Sequence, residues 1–521
     1  MILIKPPSKK IIFSLGAISV VFLTNFSGNS QTVKSNQFNE EFHIKAIDLD
    51  KEIENQFFYI GIKRFLGQGT TSEKSAQALK LISKESLISI NSANGAKHRA
   101  KNIHISWTSE KLSNIDQSRK SVIGPFSSYE SAKKIFDELA DIGIPSIIVN
   151  PNKWMIWVNE VHDIPESFNA VLINKSIDSR IVPIIKTESQ TIVISDPVEI
   201  SSDKGIVFNN QLHYGTLFLR KDSFGSWTLI KKLSVDDYLK GVLPHEIGAN
   251  APKEALKAQA VIGRSWALSN AKRYAADGYH LCVTTQCQVY KSSNNISARV
   301  KDAIESTTGQ ILVYDNKPVN SFYYASSGGI TAQANESWQM NNLDYLTTKP
   351  DGNKRFSEQV DLPIDTSKKL NNFFQIDSQN AYGDYHSLFR WKRLITIKDL
   401  QKVLYEKKIN FSNNDQLQLN IQARGPSGRV VSLEIINLTR KFKVILNKDS
   451  IRSSLLMLPS TLFVLNKTNN NNWEVYGGGF GHGVGLSQSG AIEMASNGLS
   501  YKKILDYYYP KTKIKKWSSV I

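Results

Sequence analysis

The amino-acid sequence predicts a multidomain α+β protein, with a small N-terminal α+β module before a larger, β-rich unit that contains one long helix. The chain has 521 residues, which exceeds the size at which a single core stops growing, so two or three domains are expected. Hydrophobic residues make up 41% of the chain, enough to fill such cores. From about residue 189 the pattern changes to short alternating strands, which separates the second unit from the first.

The N-terminal module is predicted over residues 50–160. The stretch "FFYIGIKRFL" (57–66) has the composition of a strand, and apolar residues recur at helical spacing over 127–144. Ser127 or Ser128 can cap this helix, and Gly143 can end it. Two further strands, "PSIIVN" and "KWMIWV", follow around an Asn-Pro-Asn turn.

The second unit is predicted over residues 189–521. Four short strands, "TIVISDPVEI", "GIVFNN", "LHYGTLFLR" and "WTLIKKLSV", indicate a β-meander or a small barrel. A long helix follows, which Asn250 can cap and Asp277-Gly278 can stop. We expect a peripheral helical insertion at about 350–415, more strands over 417–465 and a final helix at 491–497.

The charge and the first residues indicate export and an anionic partner. The formal net charge is +17 and the pI is about 9.4, but the basic residues are scattered and form no nucleic-acid module. Residues 1–30 have the layout of a secretory signal peptide, with three lysines before the apolar run 11–23. That run is short for a membrane span, which favours a cleaved signal peptide. An uncleaved membrane anchor is the alternative interpretation. We expect the protein in the periplasm, in the cell wall or at the cell surface, without a nucleic-acid partner and at a membrane only if the signal is uncleaved.

One acidic residue stands out as a candidate general acid. Glu246 follows Pro244 in a predicted loop between an apolar segment and the long helix, where partial burial would raise its pKa. The alternative is a structural carboxylate that pairs with Lys257 or Arg264.

The stretch "GGGFGHGVGLSQSGA" (477–491) crowds seven glycines around one histidine. It lacks the arrangement of a dinucleotide or nucleoside-triphosphate loop. Two interpretations stay open from the residues: a groove wall kept bare for a ligand, or a turn that packs two backbones closely. A serine hydrolase with Ser326 or Ser327 and His482 is disfavoured, because no G-x-S-x-G elbow surrounds the serines. The sequence after His245-Glu246 also lacks the H-E-x-x-H zinc-peptidase pattern.

Four blocks of the sequence resemble one family. They are "DYLKGVLPHEIGANAPKEALKAQAVIGRSWAL", "HLCVTTQCQVY", "YYASSGGITAQANESWQ" and "GGFGHGVGLSQSGAIEMASNGLSYKKILDYYYP", and in this order they resemble the stage II sporulation protein D family, also called the SpoIID/LytB or amidase-enhancer family. The resemblance implies a lytic transglycosylase that cleaves peptidoglycan between N-acetylmuramic acid and N-acetylglucosamine, favouring strands without stem peptides. It also implies that Glu246 is the catalytic glutamate.

The alternative function is a non-catalytic, wall-binding enhancer of an N-acetylmuramoyl-L-alanine amidase. Under either function the partner is the peptidoglycan glycan strand, with a cell-wall amidase as a further candidate partner. We expect the bare glycines to let the backbone approach the sugar chain, and polar side chains of the matching blocks to bind it. The expected substrate-binding residues are Lys257, Gln259, Arg264, Gln288, Tyr290, Ser326, Ser327, His482, Ser487 and Gln488.

Two smaller features complete the expectations. The stretch "VIGPFSSYESAKKIFDELADIGI" resembles the SPOR domain, which implies a glycan-binding module, although generic α+β packing explains the same residues. Cys282 and Cys287 are the only cysteines, and in an exported protein a local disulfide is the default. The family resemblance also implies a zinc site of His280, Cys282 and Cys287 as the alternative; no cofactor is required for the predicted reaction.

Overall fold

The computed structural model describes residues 48–67, 78–93, 95–159, 162–194, 196–292, 295–468 and 472–520. The predicted signal peptide, residues 1–30, lies outside this part of the chain. Among the described residues, no helix is both long and apolar enough to span a bilayer.

Twelve α-helices are present in the described residues, and a π-helical turn at Pro244–Gly248 follows the third. They are α1 (Leu49–Glu54), α2 (Tyr129–Asp141), α3 (Val235–Leu243), α4 (Lys253–Ser269), α5 (Ala298–Ser306), α6 (Ala334–Ser337), α7 (Lys354–Ser357), α8 (Ser367–Gln375), α9 (Ile397–Glu406), α10 (Asp449–Ser454), α11 (Gln488–Ser496) and α12 (Tyr501–Tyr508).

The strands of the same described ranges form six sheets. They are β1 (Phe57–Leu66), β2 (Leu79–Ile82), β3 (Ile88–Ser92), β4 (Lys97–Ala100), β5 (Asn102–Phe126), β6 (Ser146–Val149), β7 (Trp154–Asn159), β8 (Val171–Lys186), β9 (Thr191–Val193), β10 (Val198–Ser201), β11 (Ile206–Phe208), β12 (Gln211–His213), β13 (Leu217–Lys221), β14 (Trp227–Ser234), β15 (Leu281–Cys282), β16 (Gln310–Tyr314), β17 (Lys317–Pro318), β18 (Tyr323–Tyr324), β19 (Arg390–Ile395), β20 (Leu417–Arg424), β21 (Val430–Asn437), β22 (Phe442–Asn447), β23 (Phe463–Lys467), β24 (Trp473–Gly478), β25 (Leu486–Ser487) and β26 (Lys513–Lys516). The predicted α+β class is confirmed.

Two large sheets share a core in the first half of the chain. One has the strand order β15-β1-β14-β13-β10-β3-β4, and the other has the order β12-β11-β2-β5-β7-β6 with β8 and β9 added beside β5. Buried aliphatic side chains of both sheets pack together, among them Leu81, Ile90, Ile105 and Leu219. The strand predicted at 57–66 is confirmed as β1. It lies between β14 and β15, so the predicted N-terminal module shares a sheet with the second unit.

The predicted helix of the N-terminal module is confirmed as α2. Ser128 caps it, since its hydroxyl accepts a hydrogen bond from the Ser131 backbone N–H at 3.2 Å. The helix packs through Leu139 on the strands β5, β6 and β7.

The long helix α4 is the central element of the second half. Thirteen of its 17 residues are buried, so apolar and small side chains occupy every face. Asn250 does not cap it; the helix begins after Pro252 without a side-chain cap. It ends at Ser269, well before Asp277, because the Asn270 side-chain amide donates to the Trp266 carbonyl and to Asn320 and turns the chain away.

The region expected as a peripheral helical insertion, 350–415, does contain α7, α8 and α9. It also contains β19, which pairs along its whole length with β24, so the segment is part of a packed sheet rather than peripheral. Trp391 of β19 shares a core with Leu433 and Val475 of neighbouring strands. The predicted strands over 417–465 are present as β20 to β23. The helix predicted at 491–497 is present as α11 and begins at Gln488, but it is not the final helix, because α12 follows it.

Candidate active site

A groove of about 660 Å³ lies where distant parts of the chain meet. Its walls come from the start of α2, from the segment around Glu246 and the loop that follows β15, from the segment after β17, from α10, and from the glycine-rich stretch. We call this cavity the groove. It is lined by Ser127, Ser128, Glu130, Glu246, Trp266, Arg273, Thr285, Gln286, Cys287, Val289, Phe322, Tyr323, Tyr324, Ala325, Ser337, Trp338, Lys448, Asp449, Arg452, Ser453, Thr461, Phe480, Gly481, His482 and Gln488.

Glu246 reaches the groove from a π-helical turn rather than from the predicted loop. Helix α3, capped by Ser234, continues directly into this turn at Pro244, and Gly248 ends it with a φ of +89°. Proline has no N–H to donate to a helical ladder, so a widened turn is compatible with it. Ile247 is buried against the core of α3 and α4, which leaves the neighbouring Glu246 half-exposed towards the groove.

The carboxylate of Glu246 is surrounded by neutral groups. The Val289 backbone N–H donates to Oε1 at 2.6 Å, and the side chains of Tyr323 and Gln488 are its other polar neighbours. Burial raises the pKa of Glu246 above its usual value of 4.5, and these three polar neighbours partly offset the rise. No Lys or Arg of the described chain forms an ion pair with it. The predicted rise in pKa is therefore present, and its cause is desolvation.

Tyr323 is the residue next to Glu246 that the sequence analysis missed. Its hydroxyl accepts a hydrogen bond from Gln288 Nε2 at 3.0 Å, and burial together with the nearby Glu246 raises its pKa well above 10. The phenol therefore stays protonated and can donate to the carboxylate. Tyr323 lies inside the quoted block "YYASSGG", but its position depends on the parallel pairing of β18 with β25, which the motif does not show.

His482 lines the groove, but backbone groups occupy both ring nitrogens. Nδ1 accepts from the Val484 N–H at 3.1 Å, and Nε2–H donates to the Tyr323 carbonyl at 2.9 Å. Burial and the charges of Arg452 and Arg429 lower its pKa to about 3, so the ring is neutral. The expected hydrogen bond from His482 to substrate is thus not available; the ring instead holds the backbone of Tyr323.

The glycines of 477–491 allow close packing of two backbones, which is one of the two interpretations that the sequence left open. A Cβ atom at Gly479 would lie 2.7 Å from the Ser326 carbonyl oxygen, and one at Gly481 would lie 2.6 Å from the Tyr324 Cβ. A Cβ at Gly483 would overlap the Arg429 guanidinium, and one at Gly485 would overlap the Phe322 carbonyl. The bare backbone therefore faces residues 322–329 and Arg429 rather than an empty space for a sugar.

Of the remaining predicted substrate-binding residues, Gln488 lines the groove and Gln288 lies beneath Tyr323. Lys257 pairs with Glu254 at 2.9 Å, and Arg264 is buried against Asp236 and two carbonyls, so neither pairs with Glu246. Neither side chain lines the groove, because Lys257 pairs within α4 and Arg264 bonds α3 and the segment that follows α5.

The other five predicted substrate-binding residues lie within the packed fold rather than along the groove. Gln259 is fully buried within α4, and Tyr290 stacks on Tyr238 at 5.7 Å. Ser487 caps α11 by accepting from the Gly490 N–H. The backbone of Ser326 pairs with Phe480, and the Ser327 hydroxyl accepts from the Gly329 N–H. None of these five side chains lines the groove.

Of the two alternatives for the cysteine motif, a disulfide or a zinc site, the structure contains the disulfide. Cys282 and Cys287 are bonded, with their Cα atoms 5.7 Å apart. The Nδ1 of His280 accepts from the Tyr59 N–H, and its Nε2 bonds the Leu49 carbonyl, while burial lowers its pKa to about 4. The zinc expectation fails on these contacts, since the sulfurs and both ring nitrogens are engaged. Elsewhere in the described ranges, no group of three or more His, Cys, Asp or Glu side chains has the arrangement of a metal site.

The groove contains two further carboxylates, and each has its own partners. Glu130 pairs with Arg273 at 2.5 Å. Asp449 of α10 accepts from the hydroxyls of Ser128 at 2.5 Å and Ser131 at 3.0 Å. These bonds join the start of α2 to α10 across one side of the groove, and they leave Glu246 as the groove carboxylate that has no cation or hydroxyl cluster committed to it.

Comparison with known proteins identifies two matching regions. Residues 223–314 match the family model described as stage II sporulation protein, and residues 332–485 match a domain of unknown function, DUF8618. The match to stage II sporulation protein contains Glu246, α3, α4 and both cysteines, whereas the second match contains α10.

Full-length relatives align with a larger part of the chain. An uncharacterised protein of Brachyspira hyodysenteriae is 26% identical over 324 residues, which covers 61% of this chain and 76% of the relative. The amidase enhancer of Bacillus subtilis is 27% identical over 293 residues, covering 53% of this chain and 40% of the relative. Stage II sporulation protein D of the same organism is 27% identical over 300 residues, covering 55% and 75%. The match over residues 223–314 and these relatives support the resemblance to the stage II sporulation protein D family that the motifs indicated. The SPOR-like character of the N-terminal module stays a prediction.

Proposed function

We propose that this protein is an exported peptidoglycan lytic transglycosylase that cleaves between N-acetylmuramic acid and N-acetylglucosamine with Glu246 as its single catalytic carboxylate. The observation that carries the proposal is the combination at Glu246: a half-exposed carboxylate in a large groove, with a pKa raised by burial and with neutral neighbours only.

The protonated form of Glu246 is suited to the first half of the reaction. A raised pKa keeps a larger fraction of the carboxyl protonated near neutral pH, which a general acid requires. Because Oε1 accepts from the Val289 N–H, the other oxygen carries the proton. Glu246 gives this proton to the glycosidic oxygen as the bond from that oxygen to C1 of the muramic acid breaks.

The same carboxylate completes the reaction as a base. The 6-hydroxyl of the muramic acid attacks C1, and its proton passes to Glu246, so the acid is regenerated and a 1,6-anhydro sugar forms without water. A hydrolase would need a second carboxylate to act as nucleophile or base. Glu130 and Asp449, the other groove carboxylates, already have partners, which favours the one-carboxylate route.

The second candidate is a non-catalytic enhancer of a cell-wall amidase. The named amidase enhancer among the relatives favours it, although this chain spans only 40% of that relative. An enhancer needs the groove for wall binding but does not need an ionisable group at position 246.

The test compares wild type, Glu246→Gln and the control Glu305→Gln on purified glycan strands without stem peptides. Glu305 lies on the exposed face of α5, away from the groove. We expect anhydro-ended products by mass spectrometry from wild type and from the control, and none from Glu246→Gln, while thermal melting and strand binding stay unchanged.

Two results would change this conclusion. Undiminished product from Glu246→Gln would remove Glu246 from the mechanism. Absence of product from all three proteins, together with stimulation of a purified cell-wall amidase, would replace the enzyme by the enhancer.

A further inference from the structure

One wall of the groove carries two cations without a carboxylate partner. Lys448 directly precedes α10 and Arg452 lies within it, in the region that matches the domain of unknown function. Among the residues that the structure describes, the Arg452 side chain makes no hydrogen bond or ion pair, and its Nε is buried without a partner. The Lys448 Nζ donates only to the Trp338 carbonyl, at 3.2 Å.

The third cation of the groove shows the contrast. The terminal nitrogens of Arg273 bond Glu130, the Asn270 side chain and the Gln286 carbonyl, although its Nε, like that of Arg452, is buried without a partner. The acidic residue that separates the other two cations in sequence, Asp449, is held by two serine hydroxyls of the N-terminal module. The charge of Asp449 acts on the neighbouring Lys448, whereas Arg452 forms no ion pair with a carboxylate of the described chain.

Both side chains are partly removed from water, which makes the missing partner costly. Burial lowers the pKa of Arg452 and of Lys448, and for Arg452 the nearby charge of Arg429 adds to this. A guanidinium that loses water without gaining an acceptor is destabilising, and a bound carboxylate would remove that cost, since its two oxygens match the guanidinium fork.

This wall is linked to the catalytic side of the groove. The charge of Arg452 acts on His482, whose Nε2–H holds the Tyr323 carbonyl, and Tyr323 contacts Glu246. Arg452 and Glu246 also line the same groove, so a single strand lying in the groove has access to both.

We propose that Lys448 and Arg452 form a carboxylate subsite of the groove, which binds the free lactyl carboxylate of a muramic acid residue in strands without stem peptides. The identity of the ligand rests on the proposed function. Muramic acid is the sugar of such a strand that carries a negative charge, and attachment of a stem peptide converts this carboxylate into a neutral amide. The region of unknown function would then contribute the part of the groove that selects the substrate.

Binding is measured in the Glu246→Gln background, so that no ligand is consumed. Three ligands are compared by calorimetry or by fluorescence anisotropy: strands without stem peptides, strands that carry them, and neutral N-acetylglucosamine oligomers. We expect Arg452→Gln to weaken binding of the bare strands about tenfold and Lys448→Gln to weaken it less, since a charged hydrogen bond to an isolated carboxylate is worth about one decade of affinity. Binding of the neutral oligomers should not change.

Arg355→Gln is the matched control, because Arg355 is an exposed arginine of the same region outside the groove. It should bind all three ligands as the background does. Equal affinity of Arg452→Gln and the background for bare strands would overturn the subsite, and so would failure of the background to bind bare strands. A loss of the same size on the neutral oligomers would show a general structural role.

A loss confined to the peptide-bearing strands would overturn the lactyl assignment and place a stem-peptide carboxylate at the site. These readouts do not depend on cleavage. If wild type gives no anhydro products but Arg452→Gln still loses affinity for bare strands only, the transglycosylase proposal fails and the subsite stands.

Discussion

The segment Pro244–Gly248 and the glycine-rich segment 477–491 both reach the groove, but they differ in what surrounds them. Glu246 faces neutral polar groups and open space, whereas the glycines face protein atoms at distances that no side chain permits. The first segment presents a reactive group, and the second allows two backbones to approach closely enough to hold Tyr323 in place. The sequence analysis singled out one segment for its acidic residue and the other for its glycines, and the structure gives them different physical roles.

The sharpest test of this difference is a pair of glycine substitutions with the same backbone angle. Gly485 and Gly498 both have a φ of +82°, but a Cβ at Gly485 overlaps the Phe322 carbonyl whereas Gly498 has nothing within 4 Å. We expect Gly485→Ala to lower the free energy of unfolding by roughly 3 kcal/mol or more, and Gly498→Ala by about 1 kcal/mol, as measured by urea denaturation. Equal losses would mean that the backbone angle alone matters, and that the space beside Gly485 is not filled as described.

His482 belongs to the supporting side of the comparison. Replacement with alanine removes two hydrogen bonds to backbone groups and the ring contact with Trp338 at 4.7 Å. We expect His482→Ala to lower the free energy of unfolding by roughly 2 to 3 kcal/mol and to reduce cleavage, because the Tyr323 carbonyl loses its donor. The control is His245→Ala, because His245 is an exposed histidine next to Glu246. This variant should melt like wild type. Unchanged melting of His482→Ala together with weaker glycan binding would return the ring to a ligand-binding role.

The disulfide lies on the Glu246 side, since Cys287 is two residues before Val289, whose N–H donates to Glu246. It closes a short loop, so its loss should destabilise the protein by about 2 kcal/mol. We expect Cys282→Ser/Cys287→Ser to show this loss, thiol titration of the unfolded wild type to find free thiols only after reduction, and chelators to leave its melting temperature unchanged. Stoichiometric zinc in the purified protein, released with the appearance of two thiols, would favour the metal site instead.

The smallest effect concerns the ionisation of Glu246. Because burial raises its pKa in the folded state, the folded protein binds this proton more tightly than the unfolded chain does, and stability falls as pH rises through the folded pKa. Glu246→Gln lacks this ionisation, so its stability relative to wild type should increase between pH 4 and pH 8. Melting curves across this range check the sign. A relative stability that decreases with pH would mean that the folded state favours the charged carboxylate, contrary to a general acid.

The sequence predicted the local features of the fold well. Strand β1 and helix α2 with its Ser128 cap follow from short-range periodicity and capping, and the rise in the Glu246 pKa follows from its apolar neighbours. The same short-range reasoning failed for the start of α4, where Asn250 is a good capping residue that the chain does not use.

The rest of the site depends on contacts between residues far apart in sequence. Tyr323 reaches Glu246 because β18 pairs in parallel with β25, and no periodicity links these two short strands. Lys257 and Arg264 belong to a recognisable block, but Lys257 pairs with Glu254 of its own helix and Arg264 pairs with Asp236 of α3. Lys448 and Arg452 come from a region without a recognised motif, so their position in the groove could be found only from the structure.

The bonds from Ser128 and Ser131 to Asp449 have a consequence for the biosynthesis of this protein. Ser128 and Asp449 are 321 positions apart, and Gln488 follows still later, so the groove has no complete wall until residue 488 has been synthesised. A partial chain, or one cut between these positions with the fragments separated, lacks one side of the groove. Formation of the groove is therefore coupled to synthesis of these late residues.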